Sequence, residues 1–291
     1  MGQRLGQHFL KHRWAASALA QAVPLKAGEC FVEVGPGKGV LTRELLKYAP
    51  VVAIEKDEAL VTLLKEAFAN DIASKRLTLI EGDVRDLVTE SDKTARDARR
   101  GESGDRAVLK RTVRATLRLR NDADGVVLSD GYVVAANIPY YITGEIIRQF
   151  LTTPIQPRAM ALLIQKEVAD RIVARDGKES ILSISVKAYG VPRIVERVPR
   201  KHFSPPPRVD SAIIAIESIS KEFFAGISEE RFFAVVRAGF ASKRKQLINN
   251  LSHAFGREAA SAAHAACAID EKARAEDLTL EEWRALAVRL Q

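Results

Sequence analysis

Glu33-Val34-Gly35-Pro36-Gly37-Lys38-Gly39 overlaps the end of an apolar run, Cys30–Val34, and leads into an amphipathic stretch, Val40–Tyr48. Apolar run, glycine-rich turn and helical pattern, in that order, read as the strand, loop and helix that open a parallel α/β sheet. Lacking a Cβ, glycine lets such a loop turn sharply and approach a ligand closely. Outward from this unit the alternation repeats. Strands are predicted at 51–55, 77–81, 132–136 and 159–165, with helices at 58–68 and 144–151 between them. Runs at 193–198 and 211–217 add edge strands. The expectation is an α/β fold with a mostly parallel seven-stranded sheet.

The pattern changes after the polar linker Ser218–Lys221. Phe232, Val235, Val236 and Phe240 share one helical face, as do Leu247, Ile248 and Leu251. A helix is expected over Phe240–Asn249. The chain thus divides into an α/β domain, 1–220, and a small all-helical C-terminal domain, 221–291. Residues 89–131 interrupt the alternation with a connection far longer than usual. Within it Val113, Ala115, Leu117 and Leu119 alternate with Arg114, Thr116, Arg118 and Arg120, a strand pattern. Asn121–Gly125 then turns the chain into Val126–Leu128, so a β-hairpin with a basic face is predicted. RNA contact is one reading of that face, and an edge strand protected by charge the other.

Composition narrows the function. The 291 residues carry 45 Lys and Arg against 37 Asp and Glu, a net charge of +8. Such an excess suits either a polyanionic partner or simple solubility. No run approaches the ~18 apolar residues of a membrane helix, and Met1–Lys11 lacks a signal-peptide core. No membrane association and a cytoplasmic location are the expectations. Two cysteines, Cys30 and Cys267, build neither a disulfide framework nor a four-ligand zinc site, and no metal is expected.

Three groups of residues carry chemistry. Glu55 ends the second strand 20 residues after Gly35, where a carboxylate accepts from ribose hydroxyls. Asp83, just past the third strand, is placed to meet an adenine edge. The glycines at 35, 37 and 39 depart from the G-x-G-x-x-G dinucleotide spacing, since residue 40 is Val. S-adenosylmethionine has no pyrophosphate to seat, so the departure favours it over NAD, although a tight turn in any α/β protein would carry similar glycines. Asn137-Ile138-Pro139-Tyr140 follows the fourth strand at the same sheet edge. An exocyclic adenine amine is a poor nucleophile because its lone pair is delocalised. The Asn137 side-chain oxygen and Ile138 carbonyl can hold its hydrogens, Pro139 can fix the backbone, and Tyr140 offers a stacking face. In His202–Asp210 three prolines stiffen a loop that would hold Phe203 as the opposite wall of a base pocket, or as a core residue beside a rigid linker.

Taken together these motifs resemble the KsgA-type family of small-subunit rRNA adenine dimethyltransferases. The likeness runs through Gly6–Leu10, the Gly35–Thr42 loop, Asn137–Tyr140, Gln165–Val168 and Phe203–Ser211. It continues into Arg237–Phe240, Lys243-Arg244-Lys245 and Leu278–Glu282. The resemblance implies a Rossmann-like class I methyltransferase domain. It implies dimethylation at N6 of two adjacent adenosines in the hairpin near the 3′ end of small-subunit rRNA, with a part in subunit assembly. His8, Leu10, Gly35, Gly37, Glu55, Asp83 and Asn137 would contact S-adenosylmethionine; Asn137, Ile138, Pro139, Tyr140 and Phe203 would hold the adenine. Lys243, Arg244 and Lys245 would contact rRNA or the small ribosomal subunit, and a monomer is the family expectation. Residues 89–131 are an insertion relative to compact members. Two rivals share the fold: the macrolide-resistance methyltransferases of large-subunit rRNA, and a non-catalytic assembly or transcription factor. The Lys243–Lys245 region resembles the small-subunit group more closely, and a chain that had lost catalysis would be expected to have lost Asn137 or Glu55.

Overall fold

The computed structural model describes residues 8–11, 13–91, 115–119, 125–128 and 131–290. Its strands are β1 (Phe9–Leu10), β2 (Cys30–Val34), β3 (Val51–Glu55), β4 (Leu77–Glu81), β5 (Leu87–Ser91), β6 (Ala115–Leu119), β7 (Val126–Leu128), β8 (Tyr132–Asn137), β9 (Ala159–Gln165), β10 (Val191–Val198), β11 (Phe203–Ser204) and β12 (Ser211–Glu217). Seven of them form one sheet in the order β10-β12-β9-β8-β2-β3-β4. The five from β9 to β4 are mutually parallel, and β12 runs antiparallel to β9. All five residues of β3 are buried, as are the first five of β8 and six of seven in β9 and β12. Burial on both faces explains why these strands read as unbroken apolar runs rather than alternating ones.

From β2 the chain steps one way to β3 and β4; from β8 it steps the other way to β9. That reversal leaves a crevice at the carboxyl ends of β2 and β8, the switch point where open α/β sheets bind ligands. A second, two-stranded ribbon pairs Phe9 with Ser204 and Leu10 with Phe203. A third sheet, β5-β6-β7, is antiparallel throughout. It pairs Ala115–Leu119 with Val126–Leu128, the described strands of the expected hairpin, and adds β5, which has no counterpart among the expected strands. Most of the 89–131 segment, including Val113, Arg114, Arg120 and the turn Asn121–Asp124, lies outside the described residues.

Contacts divide the chain into two compact units: Met1–Lys166 with Ile194–Ile219, and Glu167–Arg193 with Ser220–Gln291. The second unit resumes at Ser220, one residue from the expected boundary, and also takes in Glu167–Arg193, which bonds to it. The Glu179 amide donates to the Glu276 carbonyl at 2.8 Å, and the Tyr189 hydroxyl to Glu229 at 2.7 Å. Ser180 caps the helix Ile181–Lys187 through a capping box with Ser183. In this unit Phe232, Val235 and Val236 are fully buried, and Phe240 stacks on Trp283 at 5.4 Å. The single helix expected over Phe240–Asn249 is not formed. One helix ends at Gly239 and the next begins at Leu247. The buried Asn250 side chain holds the intervening turn, donating to the Gly239 carbonyl at 2.6 Å and the Ser242 carbonyl at 3.1 Å. The first-domain helix expected to reach Tyr48 likewise stops at Leu45.

Gly39 precedes that helix with φ +75°, and a Cβ there would lie 2.4 Å from the Phe68 ring and 3.1 Å from Leu64. Phe68 is only 2% exposed and has little room to yield. Gly39→Ala should lower stability by roughly 2–4 kcal/mol, from the left-handed backbone and the overpacking together. Urea unfolding measures this; an unchanged midpoint would contradict the packing described.

Candidate functional site

A cavity of about 190 Å³ opens at the carboxyl ends of the parallel strands. The loop after β2, the ends of β3 and β8, the turn after β4 and the β1 ribbon all contribute to its walls. His8, Leu10, Gly35, Gly37, Glu55, Asp83, Asn137, Ile138, Pro139 and Tyr140 are therefore brought together from five separate segments. Phe203 and the Lys243–Lys245 cluster are not in this lining.

The loop is held against β3. Glu55, 6% exposed, accepts the Gly37 amide at 3.1 Å through Oε2, and the Lys56 and Asp57 amides at 2.9 and 3.0 Å through Oε1. A carboxylate offers about four acceptor positions, so Oε2 keeps capacity for a ligand hydroxyl. Gly35 has φ +65°, and a Cβ built on it would meet nothing within 4 Å. Its backbone is thus open to a ligand at close range. Over Gly37 lies the Phe9 ring, which a Cβ there would approach to 3.0 Å, with the Lys38 ammonium 5.3 Å from the ring centre.

Asp83 is more tightly engaged than the sequence suggested. Arg85 reaches it with Nε at 3.0 Å and a terminal nitrogen at 2.5 Å, and Lys56 Nζ adds a contact at 2.8 Å. The Arg85 hydrogen bonds, with help from Lys56 and against partial burial, hold this carboxyl well below the usual range. It lines the cavity as an anion already paired to cations.

At the end of β8, the Asn137 Nδ2 donates to the His8 carbonyl at 3.0 Å. Once the amide nitrogen is committed there, Oδ1 is the free end and acts only as an acceptor. The Ile138 amide donates to the Leu163 carbonyl at 3.2 Å, while among the described residues nothing donates to the Ile138 carbonyl. Two uncharged acceptors therefore sit on consecutive residues of the lining. Pro139 leads into a single 3-10 turn, Tyr140–Ile142, followed by the helix Thr143–Thr152. The Tyr140 hydroxyl shares a 2.7 Å hydrogen bond with Ser211 Oγ, its ring lies 5.7 Å from that of His8, and burial raises its pKa.

Phe203 takes the core position that was the alternative to a base-pocket wall. Leu10 pairs with it across the ribbon, and both side chains enter the core; Phe203 is 1% exposed. Without accessible surface it is no wall of the cavity in this conformation. Its proline-rich loop serves the site indirectly: the Pro205 carbonyl lies 2.8 Å from His8 Nδ1. Lys243, Arg244 and Lys245 are exposed in the turn between two helices of the second unit.

Sequence reasoning missed Glu33, Phe9, Lys56, Arg85 and Tyr141 as lining residues. Glu33 had a legible signal, a carboxylate inside an otherwise apolar strand. It is 1% exposed and accepts from Thr42 Oγ1 at 2.7 Å. Its Oε1 is buried with no partner among the described residues. Burial, with nearby Glu55 adding to it, pushes the carboxyl up to about 8.

Unfolded, Glu33 ionises near 4.5. Between that pH and about 8 the folded protein binds the extra proton, so this group makes stability fall as pH rises. Glu33→Gln removes the dependence. The variant should gain on the wild type progressively from pH 4.5 to about 8 and level off above. Unfolding midpoints across that range test this; parallel curves would be inconsistent with a buried neutral carboxyl.

A family model described as "Ribosomal RNA adenine dimethylase" matches residues 2–291. The chain is 36% identical over 287 residues to the "Ribosomal RNA small subunit methyltransferase A" of Dehalococcoides mccartyi, covering 98% of this chain and 86% of that protein. It is 34% identical over 296 residues to the protein of the same name from Synechococcus elongatus, covering 99% and 94%. Among solved structures, a dimethyladenosine transferase from Plasmodium falciparum superposes with TM-score 0.71 at 23% identity, over 96% of both chains. The 23S rRNA methyltransferase ErmE does so with TM-score 0.67 at 22% identity, over 97% of this chain and 99% of its own. These two share the fold over nearly its whole length.

Proposed function

The chain belongs to the ribosomal RNA adenine dimethylase family, and on that premise we propose that it transfers methyl groups from S-adenosylmethionine to N6 of two adjacent adenosines near the 3′ end of small-subunit rRNA. One observation carries the reading: the Asn137 amide is anchored through its nitrogen, so its oxygen joins the Ile138 carbonyl as a neutral acceptor pair at the cavity. Bound to this pair, an adenine amine keeps its hydrogens occupied and its lone pair turned out of the ring plane, toward an electrophile. Neither acceptor can take the proton permanently, so the residues orient the amine rather than deprotonate it.

The lining suits S-adenosylmethionine. Gly35 leaves backbone space, and Glu55 keeps acceptor capacity for ribose. Once bound, it supplies an electrophilic methyl group on a sulfonium. Tyr140, tethered to Ser211, offers its ring to the adenine face. The compartment that follows from an rRNA substrate is the cytoplasm, and the partner is the small ribosomal subunit; among the described residues no helix is long and apolar enough to cross a membrane.

Incubating the protein with labelled S-adenosylmethionine and purified unmethylated subunits tests the proposal. Label should enter the small subunit, on two adjacent adenosines; label on the large subunit alone would favour the macrolide-resistance chemistry instead. Asn137→Ala should lower methyl transfer by about 100-fold or more while subunit binding persists, as when one preorganised transition-state partner is lost. Undiminished turnover would remove Asn137 from the mechanism.

Exposed Lys243, Arg244 and Lys245 provide a cationic turn for phosphate contact. Subunit affinity should fall with rising salt, by a slope of about −0.7 to −0.9 per phosphate neutralised. Replacing all three by Gln should flatten that slope; an equal slope would assign the cluster to solvent.

A further inference from the structure

With Phe203 buried, the cavity lacks the second aromatic wall that the sequence suggested, yet another aromatic stands at its mouth. Tyr140 and Tyr141 are consecutive in one 3-10 turn, and that turn sends them to different fates. Tyr140 is half-buried and tied to Ser211. Tyr141 also lines the cavity but is 75% exposed. A ring so accessible contributes little to folding and offers a face that nothing in the described chain covers. Arg85, its side chain about half exposed while it holds Asp83, lines the same cavity.

Resting on the adenine-methylating function above, we propose that Tyr141 is a substrate-binding residue that stacks on the base next to the target adenosine. Extruding one adenine breaks its stack with the neighbour and leaves that neighbour's face exposed to water. An aromatic ring at the mouth replaces the lost stack without reading the base identity, because every base has a π-face. Where two adjacent adenosines are both targets, the same ring would serve whichever is not in the cavity.

Two measurements test this. In the first, an RNA hairpin carries 2-aminopurine in place of one of its two adjacent adenosines, in either order, and fluorescence is read on binding. Wild type, Tyr141→Phe and Tyr141→Trp should quench at least one hairpin, whereas Tyr141→Ala and Tyr141→Leu should not. In the second, the KM for unmethylated small subunits should rise roughly 5- to 150-fold in the Ala and Leu variants, the range expected of one lost base–aromatic stack. Affinity for S-adenosylmethionine and the thermal midpoint should stay at wild-type values. Quenching and KM unchanged in Tyr141→Ala would overturn the proposal, as would Leu restoring both. Because quenching needs no turnover, a wild type that quenches through Tyr141 without methylating would fault the assigned reaction and leave the stacking intact.

Discussion

Everything at the site depends on β2 being paired in parallel on both sides. Phe31–Val34 align with Val51–Ile54 of β3 and, on the other flank, with Val133–Ala136 of β8. Parallel pairing sends all three carboxyl ends to one edge, and the change of winding direction between β2 and β8 opens that edge. The glycine loop, Glu55 and Asn137 arrive there because each ends a strand of fixed register. A slip of one residue in either pairing would carry every side chain to the opposite face of the sheet and shift the strand ends, so the packing that fixes the register also fixes the geometry of the site.

A second constraint joins the β1 ribbon to this edge. His8 contributes its carbonyl to Asn137 and its ring nitrogen to the Pro205 carbonyl, while Leu10 and Phe203 plug the ribbon into the core. The ribbon thereby selects which end of the Asn137 amide faces the cavity. An amide has two nearly isosteric ends with opposite hydrogen-bonding character, and only a committed partner on one end decides the other. Phe203 supports the site from behind, through Leu10, instead of forming its wall.

The parts legible from sequence share one physical property. β2, β3, β9 and β12 have the ends expected, because strands buried on both faces are short apolar runs closed by turns or charges, and the partly buried β4 is bounded in the same way. The loop residues Gly35 and Gly37, and Glu55 and Asn137, were legible for the same reason, as strand ends. What stayed hidden depends on partners distant in the chain. β1 and β11 are two residues each, too short for any periodicity, and exist only through their pairing. The helices of Glu167–Arg193 follow β9 in sequence yet bond to the C-terminal unit, a choice made by tertiary contacts such as Glu179 with Glu276. The Lys243–Lys245 region has helical composition, but Asn250 captures the Gly239 and Ser242 carbonyls and closes a turn. Pairs such as Arg85 with Asp83, and the opposite fates of Tyr140 and Tyr141, are set by side-chain direction, which residue type alone does not encode.

On the proposed reading, the site accounts for methylation of an adenine amine by neutral acceptors, with no base beside it. A carboxylate beside the amine would be buried next to a cationic methyl donor, and the two would pair before the adenine arrived. The carboxyls of this cavity are arranged to avoid that: Glu55 is occupied by three backbone amides, Asp83 by Arg85 and Lys56, and Glu33 is held neutral by burial at pH 7. Asn137 and Ile138 carry only partial charge, so as the proposed acceptor pair they would hold the amine's hydrogens without competing for a sulfonium.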